Sequence, residues 1–293
     1  MKRVFKYLGW FLGVVVLLLV VAVGVVYAST ARKLGRSYVV AVKPVAIPTD
    51  ASALQLGRHI AETRGCNDCH GADFGGAKVI DDPAIGLMWG SNLTGGTGSR
   101  TAGFADEDWV RAIRHGVAKD GRPLVLMPSI EYAQFSDDDL GAVIAYLKTV
   151  PKVDREHTPI RVGPVARALI LAGEIKLAAE HIDHAGLRPP TVVPGATVEY
   201  GRYLAVSCSG CHGEQFAGGR IPGSPPDWPP ARNLTPGGNL GRWSEQDFVN
   251  VLKTGTRPDG VQLNPVMPLA FGKMTETELK ALWLYLRSLP PAS

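Results

Sequence analysis

All four cysteines of this 293-residue chain lie in two copies of a Cys-x-x-Cys-His pattern, at residues 66–70 and 208–212. A disulfide framework is disfavoured, because such close cysteines enclose only a tiny loop and a chain of this length can build a hydrophobic core without disulfide cross-links. Zinc is disfavoured because zinc ligands usually combine separated half-sites with a different histidine spacing. A histidine directly after the second cysteine is the signature of covalent c-type haem attachment.

The two patterns therefore predict two covalently attached haems. The vinyl groups of each haem are expected to form thioether bonds with one cysteine pair: Cys66 and Cys69, then Cys208 and Cys211. His70 and His212 follow directly and stand where their imidazoles can bind the iron.

The N-terminal segment, residues 1–36, predicts a membrane anchor. Residues 8–28 are almost wholly apolar, and no charged residue lies between Lys6 and Arg32. About 20 such residues span the hydrocarbon core of a bilayer, whereas the apolar part of a signal peptide has about 7–15. A retained anchor is therefore favoured, and signal cleavage after Val26-Tyr27-Ala28 is the alternative.

The distribution of charge argues against a nucleic-acid binder. The formal net charge is +4, but residues 1–36 hold six basic residues and no acidic one, which leaves 25 basic and 27 acidic residues in the rest of the chain. A nucleic-acid binder carries its positive patch on the folded part.

An internal repeat of about 100 residues surrounds the two patterns. Asn92-Leu93-Thr94 recurs at 233–235, and Met127-Pro128 recurs at 267–268, with offsets between 139 and 142 residues from the first cysteine to the closing proline. The repeat predicts one domain at 50–155, a connector at 156–194 and a second domain at 195–291. The matched positions of the two Asn-Leu-Thr segments favour structural loops near each haem.

Helical periodicity and capping signals predict an all-α fold with long loops around the haems. Helices are expected before each pattern, at 54–64 and 198–206, and in the middle of each unit, at 106–114 and 245–253. Capping-box spacing begins at Ser136, Ser244 and Thr275. The apolar stretch from Val165 to Ile182 predicts one connector helix, which either bridges the domains or serves as a docking surface for a partner subunit.

The sixth iron ligand decides what a haem can do. A single histidine leaves a site for oxygen or peroxide, whereas methionine favours electron transfer and raises the potential. Only two of the five methionines occupy matching repeat positions, and each precedes a proline; Met88 and Met274 have no counterpart and are interpreted as packing residues. The predicted iron ligands are therefore His70, Met127, His212 and Met267.

The other histidines do not form a matched pair. His115 is replaced by Thr254 in the second unit, and His59, which aligns with Tyr203, is interpreted as a helix-surface or haem-edge residue. The remaining three belong to the connector and are expected to be solvated: His157, His181 and His184.

The two units resemble class I c-type cytochromes, and the chain beyond its N-terminal segment resembles membrane-anchored dihaem cytochromes c. The Asn-Leu-Thr loop, the Trp243-Ser-x-x-Asp-Phe248 stretch, Met267-Pro268 and the closing residues 284–290 are also similar to cytochrome subunits of bacterial membrane-bound alcohol and gluconate dehydrogenases. Those subunits typically carry three haem units, whereas this chain has two.

The resemblance implies tandem class I cytochrome c domains with two haem c groups. It implies electron transfer between a periplasmic or membrane-bound dehydrogenase and a respiratory acceptor such as a cytochrome or an oxidase. Because such haems are attached outside the bacterial cytoplasm, it also implies a single-pass inner-membrane protein with a cytoplasmic N-terminus and periplasmic haem domains.

The chain shows no acid–base pair or nucleophile that substrate chemistry would require, so an electron carrier or electron-transfer subunit is predicted rather than an enzyme. A dihaem peroxidase is the alternative from the enzyme class, and it needs an iron whose sixth ligand is vacant or displaceable. A haem-bearing subunit that mainly anchors a dehydrogenase is the other alternative.

Overall fold

The computed structural model describes residues 2–225 and 227–292 of the chain. The α-helices within these residues are α1 (Lys2–Leu34), α2 (Ala51–Thr63), α3 (Cys66–His70), α4 (Asp106–His115), α5 (Ser129–Tyr132), α6 (Asp137–Leu147), α7 (Pro164–Ala172), α8 (Ala178–His181), α9 (Val198–His212), α10 (Glu245–Thr254) and α11 (Glu276–Ser288). Two 3₁₀ turns lie at Asn239–Gly241 and Leu269–Lys273. The strands are β1 (Lys78–Asp82), β2 (Gly86–Trp89) and β3 (Arg161–Val162).

The mostly helical fold and its principal helices are as the sequence predicts, and the small sheet is an addition. β1 pairs with β2 and β2 with β3, both antiparallel. β3 belongs to the connector and pairs residue 162 with Gly86. The sheet therefore ties the beginning of the connector to the first unit.

The repeat in the sequence is also a repeat in helix packing. In the first unit α2 packs on α6, and in the second α9 packs on α11. A side chain on Gly57 would overlap the carbonyl oxygen of Ala142, and a side chain on Gly201 would overlap that of Ala281. A glycine thus permits the same close helix crossing in each unit, over a separate apolar core.

Two of the three predicted capping boxes are confirmed. Ser244 and Thr275 each cap the third residue of their helix, whose carboxylate in turn accepts from the cap residue's N–H. Ser136 caps α6 in the expected way, but the carboxylate of Asp139 accepts instead from the hydroxyl of Tyr203 in the second unit. The capping box at Ser136 is therefore incomplete, and its carboxylate instead makes a contact between the units.

The prediction of one connector helix from Val165 to Ile182 is wrong. Gly173 adopts a left-handed conformation, with φ of +80°, and ends α7. The shorter α8 follows and packs near α5, whereas α7 packs on α1. A residue with a positive φ cannot continue an α-helix, so the connector forms two helices with different neighbours.

Helix α1 is long and apolar enough to span a membrane by length and composition. Its most apolar window has a mean hydropathy of 3.0 and is not buried against the rest of the protein. An anchor and a signal sequence share these properties.

Candidate functional site

The two Cys-x-x-Cys-His patterns lie at equivalent places in their units, but the helices that carry them differ. In the second unit α9 continues without interruption through His212. In the first unit Gly65, with φ of +76°, separates α2 from the short helix α3 that carries the pattern. Burial raises the pKa of the Cys66 thiol to about 12 and that of Cys208 to about 11. The pKa of reactive redox cysteines is instead depressed by an electropositive, partly exposed environment; here burial outweighs the nearby positive charge.

The two pattern histidines are held in the form that an iron ligand requires. His70 donates from Nδ1 to the carbonyl oxygen of Ser91 at 2.7 Å, and His212 donates from Nδ1 to that of Arg232 at 2.7 Å. A carbonyl only accepts, so Nδ1 carries the proton and Nε2 keeps a free lone pair. Burial lowers the pKa of both imidazoles. The neutral, oriented imidazoles fit a haem iron.

The Asn-Leu-Thr loops form the support for these histidines. The side chain of Asn92 is fully buried; its Oδ1 accepts from Thr94, and its Nδ2 donates to the carbonyl oxygen of Val153 at 2.8 Å. Asn233 repeats the arrangement with Thr235 and the carbonyl oxygen of Ala292. Each loop directly follows the carbonyl that orients the histidine and is tied to the end of its unit. The predicted structural role of the loops is confirmed.

The matched methionines lie on equivalent loops. Met127 is half-buried against the core of the first unit, and Met267 is half-buried against the core of the second. Met267 also lines a cavity of about 530 Å³. Coordination of iron by these sulfurs stays a prediction. Met88 and Met274 are each 4% exposed and pack in the interior, as the sequence predicts.

Each haem pattern lies against the methionine loop of the other unit. Asp68, in the first pattern, lines the cavity that contains Met267. In the reverse direction, the carboxylate of Glu131, four residues after Met127, lies where a side chain on Gly210 of the second pattern would be. Asp68 and Gly210 occupy the same place in their patterns. The two candidate sites therefore face each other across one interface, and the repeat alone does not reveal it.

Two reciprocal polar pairs join the units at this interface. Nε2 of His59 lies 2.8 Å from Oε2 of Glu278, and the hydroxyl of Tyr203 donates to Oδ2 of Asp139 at 2.5 Å. His59 aligns with Tyr203, and Asp139 aligns with Glu278, so the contacts are related by an approximate two-fold. His59 lies on the surface of α2, in line with its interpretation as a helix-surface or haem-edge residue, and the sequence does not reveal that its imidazole binds a carboxylate 219 residues away.

Arg64 forms a third contact between the units, and no motif in the sequence predicts this contact. The residue is 8% exposed. Its guanidinium donates from Nη1 to the carbonyl oxygen of Leu204 at 3.2 Å and to Oγ of Ser207 at 3.4 Å. Its positive charge acts to lower the thiol pKa of both Cys66 and Cys208, although burial outweighs it. Arg64 therefore lies close to both haem attachment patterns.

The connector histidines are not uniformly solvated, contrary to the sequence interpretation. His157 stacks on Trp89 with ring centroids 4.6 Å apart. His184 donates from Nε2 to the carbonyl oxygen of Ala179, so its Nδ1 accepts from Nδ1 of His115 at 3.0 Å. Burial, together with neighbouring charge, lowers the pKa of His115 to about 4. These contacts fasten the connector to the first unit.

The pair of His59 and Glu278 predicts a pH-dependent interface. The hydrogen bond to Glu278 raises the pKa of His59, against desolvation; Arg64 opposes the shift and Glu62 adds to it. A raised folded-state pKa stabilises the protein fully below the unfolded value of about 6.5, and this stability is lost as the pH rises through the folded value. We expect His59→Gln to lower the free energy of unfolding by about 1 kcal/mol at pH 6, a modest value because the pair is partly exposed. The effect should be smaller at pH 8, where the imidazole has lost its charge.

The measurement is urea unfolding of the haem-containing chain at several pH values. Glu278 also faces Tyr200, and Asp139 lies nearby. The matched control is Tyr203→Phe, because it removes the equivalent pair between the units without removing a group that titrates in this pH range. An unchanged pH slope in His59→Gln would show that the pair contributes nothing.

Comparisons with known proteins identify the class. Residues 52–147 match the family model described as cytochrome c oxidase, cbb3-type, subunit III. Residues 198–290 match the family model described as cytochrome c. Together with the two histidine sites and the helical fold, these matches define a chain with two cytochrome c domains. Such domains imply covalently bound haem c.

The chain is homologous to cytochrome c subunits of dehydrogenases. The cytochrome c subunit of alcohol dehydrogenase (quinone) from Gluconobacter oxydans is 25% identical, with 96% of this chain and 60% of that protein covered. The corresponding subunit from Gluconacetobacter polyoxogenes is 29% identical, over 83% of this chain and 57% of that protein. A dihaem cytochrome c-type protein from Cereibacter sphaeroides is 26% identical, over 80% of this chain and 85% of that protein. The resemblance stated above is confirmed, and the chain spans about 60% of the length of the dehydrogenase subunits.

Proposed function

We propose that this chain is a membrane-anchored dihaem electron-transfer subunit, which takes electrons from a dehydrogenase and passes them to a respiratory acceptor. The observation that carries the proposal is the pair of candidate haem sites that face each other across one interface. The proposed ligands are His70 and Met127 in the first unit and His212 and Met267 in the second. The cysteine attachments and the count of two haems belong to the same proposal.

Bound haem c supplies a one-electron acceptor and donor at each site. The chain's own residues orient and shield it. Ser91 and Arg232 hold the imidazoles through their backbone carbonyls, so Nε2 is available without rearrangement. The contacts of His59 and Tyr203 with the opposite unit fix the two attachment patterns relative to each other. A fixed arrangement of this kind favours electron transfer, because no protein movement is needed between the two sites.

The matched methionine loops favour this function over a dihaem peroxidase. A peroxidase needs one site that differs from the other by an open or displaceable sixth ligand. Here the two units offer the same residue type in the same context, with proline following each methionine. The chain then serves as an electron-transfer subunit and carries out no step of substrate chemistry itself.

The exposed apolar helix α1 favours an additional anchoring role. We take α1 as a retained membrane span, with the N-terminus cytoplasmic and the haem units periplasmic in a bacterial inner membrane. The relatives include cytochrome subunits of an alcohol dehydrogenase, of fructose dehydrogenase and of gluconate 2-dehydrogenase. These names suggest donors that oxidise alcohols, sugars or sugar acids. The acceptor is a cytochrome or an oxidase of the respiratory chain.

Purification of the tagged full-length chain from membranes in mild detergent tests this function. We expect a dehydrogenase to co-purify, and addition of its alcohol or sugar substrate to reduce both haems, as measured by their absorbance. The same preparation without substrate is the control. Isolation of the chain alone, with rapid turnover of peroxide, would instead support the peroxidase.

A further inference from the structure

The connector helix α7 is fixed to the end of the apolar helix α1. Thr30 is completely buried, and its hydroxyl accepts from Nη1 of Arg167 at 2.8 Å. The same guanidinium lies 4.6 Å from the centre of the Tyr27 ring. Lys33 of α1 also forms an ion pair, at 2.8 Å, with Glu180 further along the connector. These contacts fix the position of α7 relative to α1.

The contact lies at the level where α1 would leave a bilayer. The apolar stretch of residues 8–28 is about 32 Å long as a helix, which matches the hydrocarbon thickness of about 30 Å. Tyr27 then lies at the membrane–water boundary, where tyrosine is enriched. Because α7 touches α1 at Tyr27 and Thr30, α7 lies at the same boundary.

The face of α7 that points away from the protein is apolar. Arg167 is the single charged residue among the nine of this helix, and it is turned toward α1. Ala166 and Ile170 are buried. Val165, Ala168 and Ala172 are exposed, Val165 by 44%, and their spacing of three and four residues places them on one stripe.

Exposed charged residues, most of them basic, follow α1 and lie at both ends of α7. Arg32 and Arg36 follow the apolar part of α1, Arg161 precedes α7, and Glu174 and Lys176 follow it. Basic side chains near a bilayer surface are attracted to anionic headgroups, at about 1 kcal/mol each. An apolar stripe with mostly basic residues near its ends is typical of a helix that lies in the interfacial plane of a membrane.

We propose that α7 is a second membrane contact, in which Val165, Ala168 and Ala172 enter the headgroup region of the bilayer that α1 spans. This inference rests on the proposed retention of α1 as an anchor. One spanning helix leaves the attached domains free to tilt. A second contact, linked through α8 to α5, holds the first haem unit at a fixed orientation to the membrane.

Photo-crosslinking to lipid tests the contact in the full-length, haem-containing chain. With the four native cysteines held as thioethers, Ala168→Cys introduces one free thiol for a benzophenone maleimide. The labelled chain is reconstituted in phosphatidylcholine–phosphatidylglycerol vesicles and irradiated, and phospholipid adducts are counted by intact mass. We expect at least tenfold more adduct than for Lys280→Cys, an exposed position on α11. Val165→Cys is the second variant on the same stripe.

Leu17→Cys, within α1, separates failure of the inference from failure of the anchor. Adducts at Leu17→Cys without adducts at either α7 variant overturn the α7 contact and leave the anchor standing. Absence of adducts at all three positions overturns the anchor and the α7 contact together. Protection of the α7 thiol in a purified dehydrogenase complex, without lipid adducts in vesicles, would assign the stripe to a partner subunit and overturn the proposal.

Discussion

Replacing Cys66 and Cys69 together by alanine is expected to remove one of two covalently bound haems and to leave the other. Thioether bonds survive unfolding, so the denatured parent chain should carry the mass of two haems and the double variant the mass of one. Cys208→Ala with Cys211→Ala should give the complementary result. The two units have separate cores, so loss of one haem is not expected to prevent attachment in the other unit. Intact-protein mass spectrometry after denaturation measures the count.

A single-residue control distinguishes loss of haem attachment from general loss of folding. Ser209→Ala changes the second pattern without replacing a cysteine and is expected to retain both haems. Complete extraction of haem from the parent chain by acidified solvent would contradict covalent attachment. Loss of both haems from each double variant would contradict independent sites.

The local features of the fold are readable from sequence because their signals lie within a few residues. Ser244 and Thr275 sit three positions before the carboxylates that complete their capping boxes. The Asn-Leu-Thr loops follow this rule in part, since the hydroxyl of Thr94 donates to Oδ1 of Asn92 two residues earlier. Periodicity identifies the helices, and the repeat separates shared residues such as Met267 from unshared ones such as Met274.

The contacts between units are not readable in this way, because their partners are distant in sequence. His59 and Glu278 each look ordinary on a helix, and only packing of the two units brings them within 2.8 Å. Tyr203 likewise displaces the expected capping partner of Asp139. The break at Gly173 is not readable from the sequence either, since apolar periodicity on both sides of a glycine does not reveal a left-handed backbone.

The largest expected functional effect comes from the two matched methionines. Met127→Leu and Met267→Leu each remove a sulfur while keeping a similar volume, so the cost in stability should stay below about 1.5 kcal/mol. Each variant is expected to lose the sulfur-to-iron absorption of one haem. The potential of that haem should fall by on the order of 0.1 V, since methionine ligation raises haem potentials within a range of about 0.8 V.

The matched controls are Met88→Leu and Met274→Leu, which change buried methionines without counterparts in the repeat. They should leave absorption and both potentials unchanged, whereas each ligand variant should gain a site for carbon monoxide. Redox titration with absorbance detection resolves the two haems in all four variants. Rapid stoichiometric carbon monoxide binding by the parent chain would mean that one iron already has an open position, and it would favour the peroxidase over electron transfer. A result confined to Met127→Leu or to Met267→Leu would show that only one of the two equivalent loops supplies a ligand, and the symmetry on which the proposed function depends would then hold for the fold but not for the chemistry.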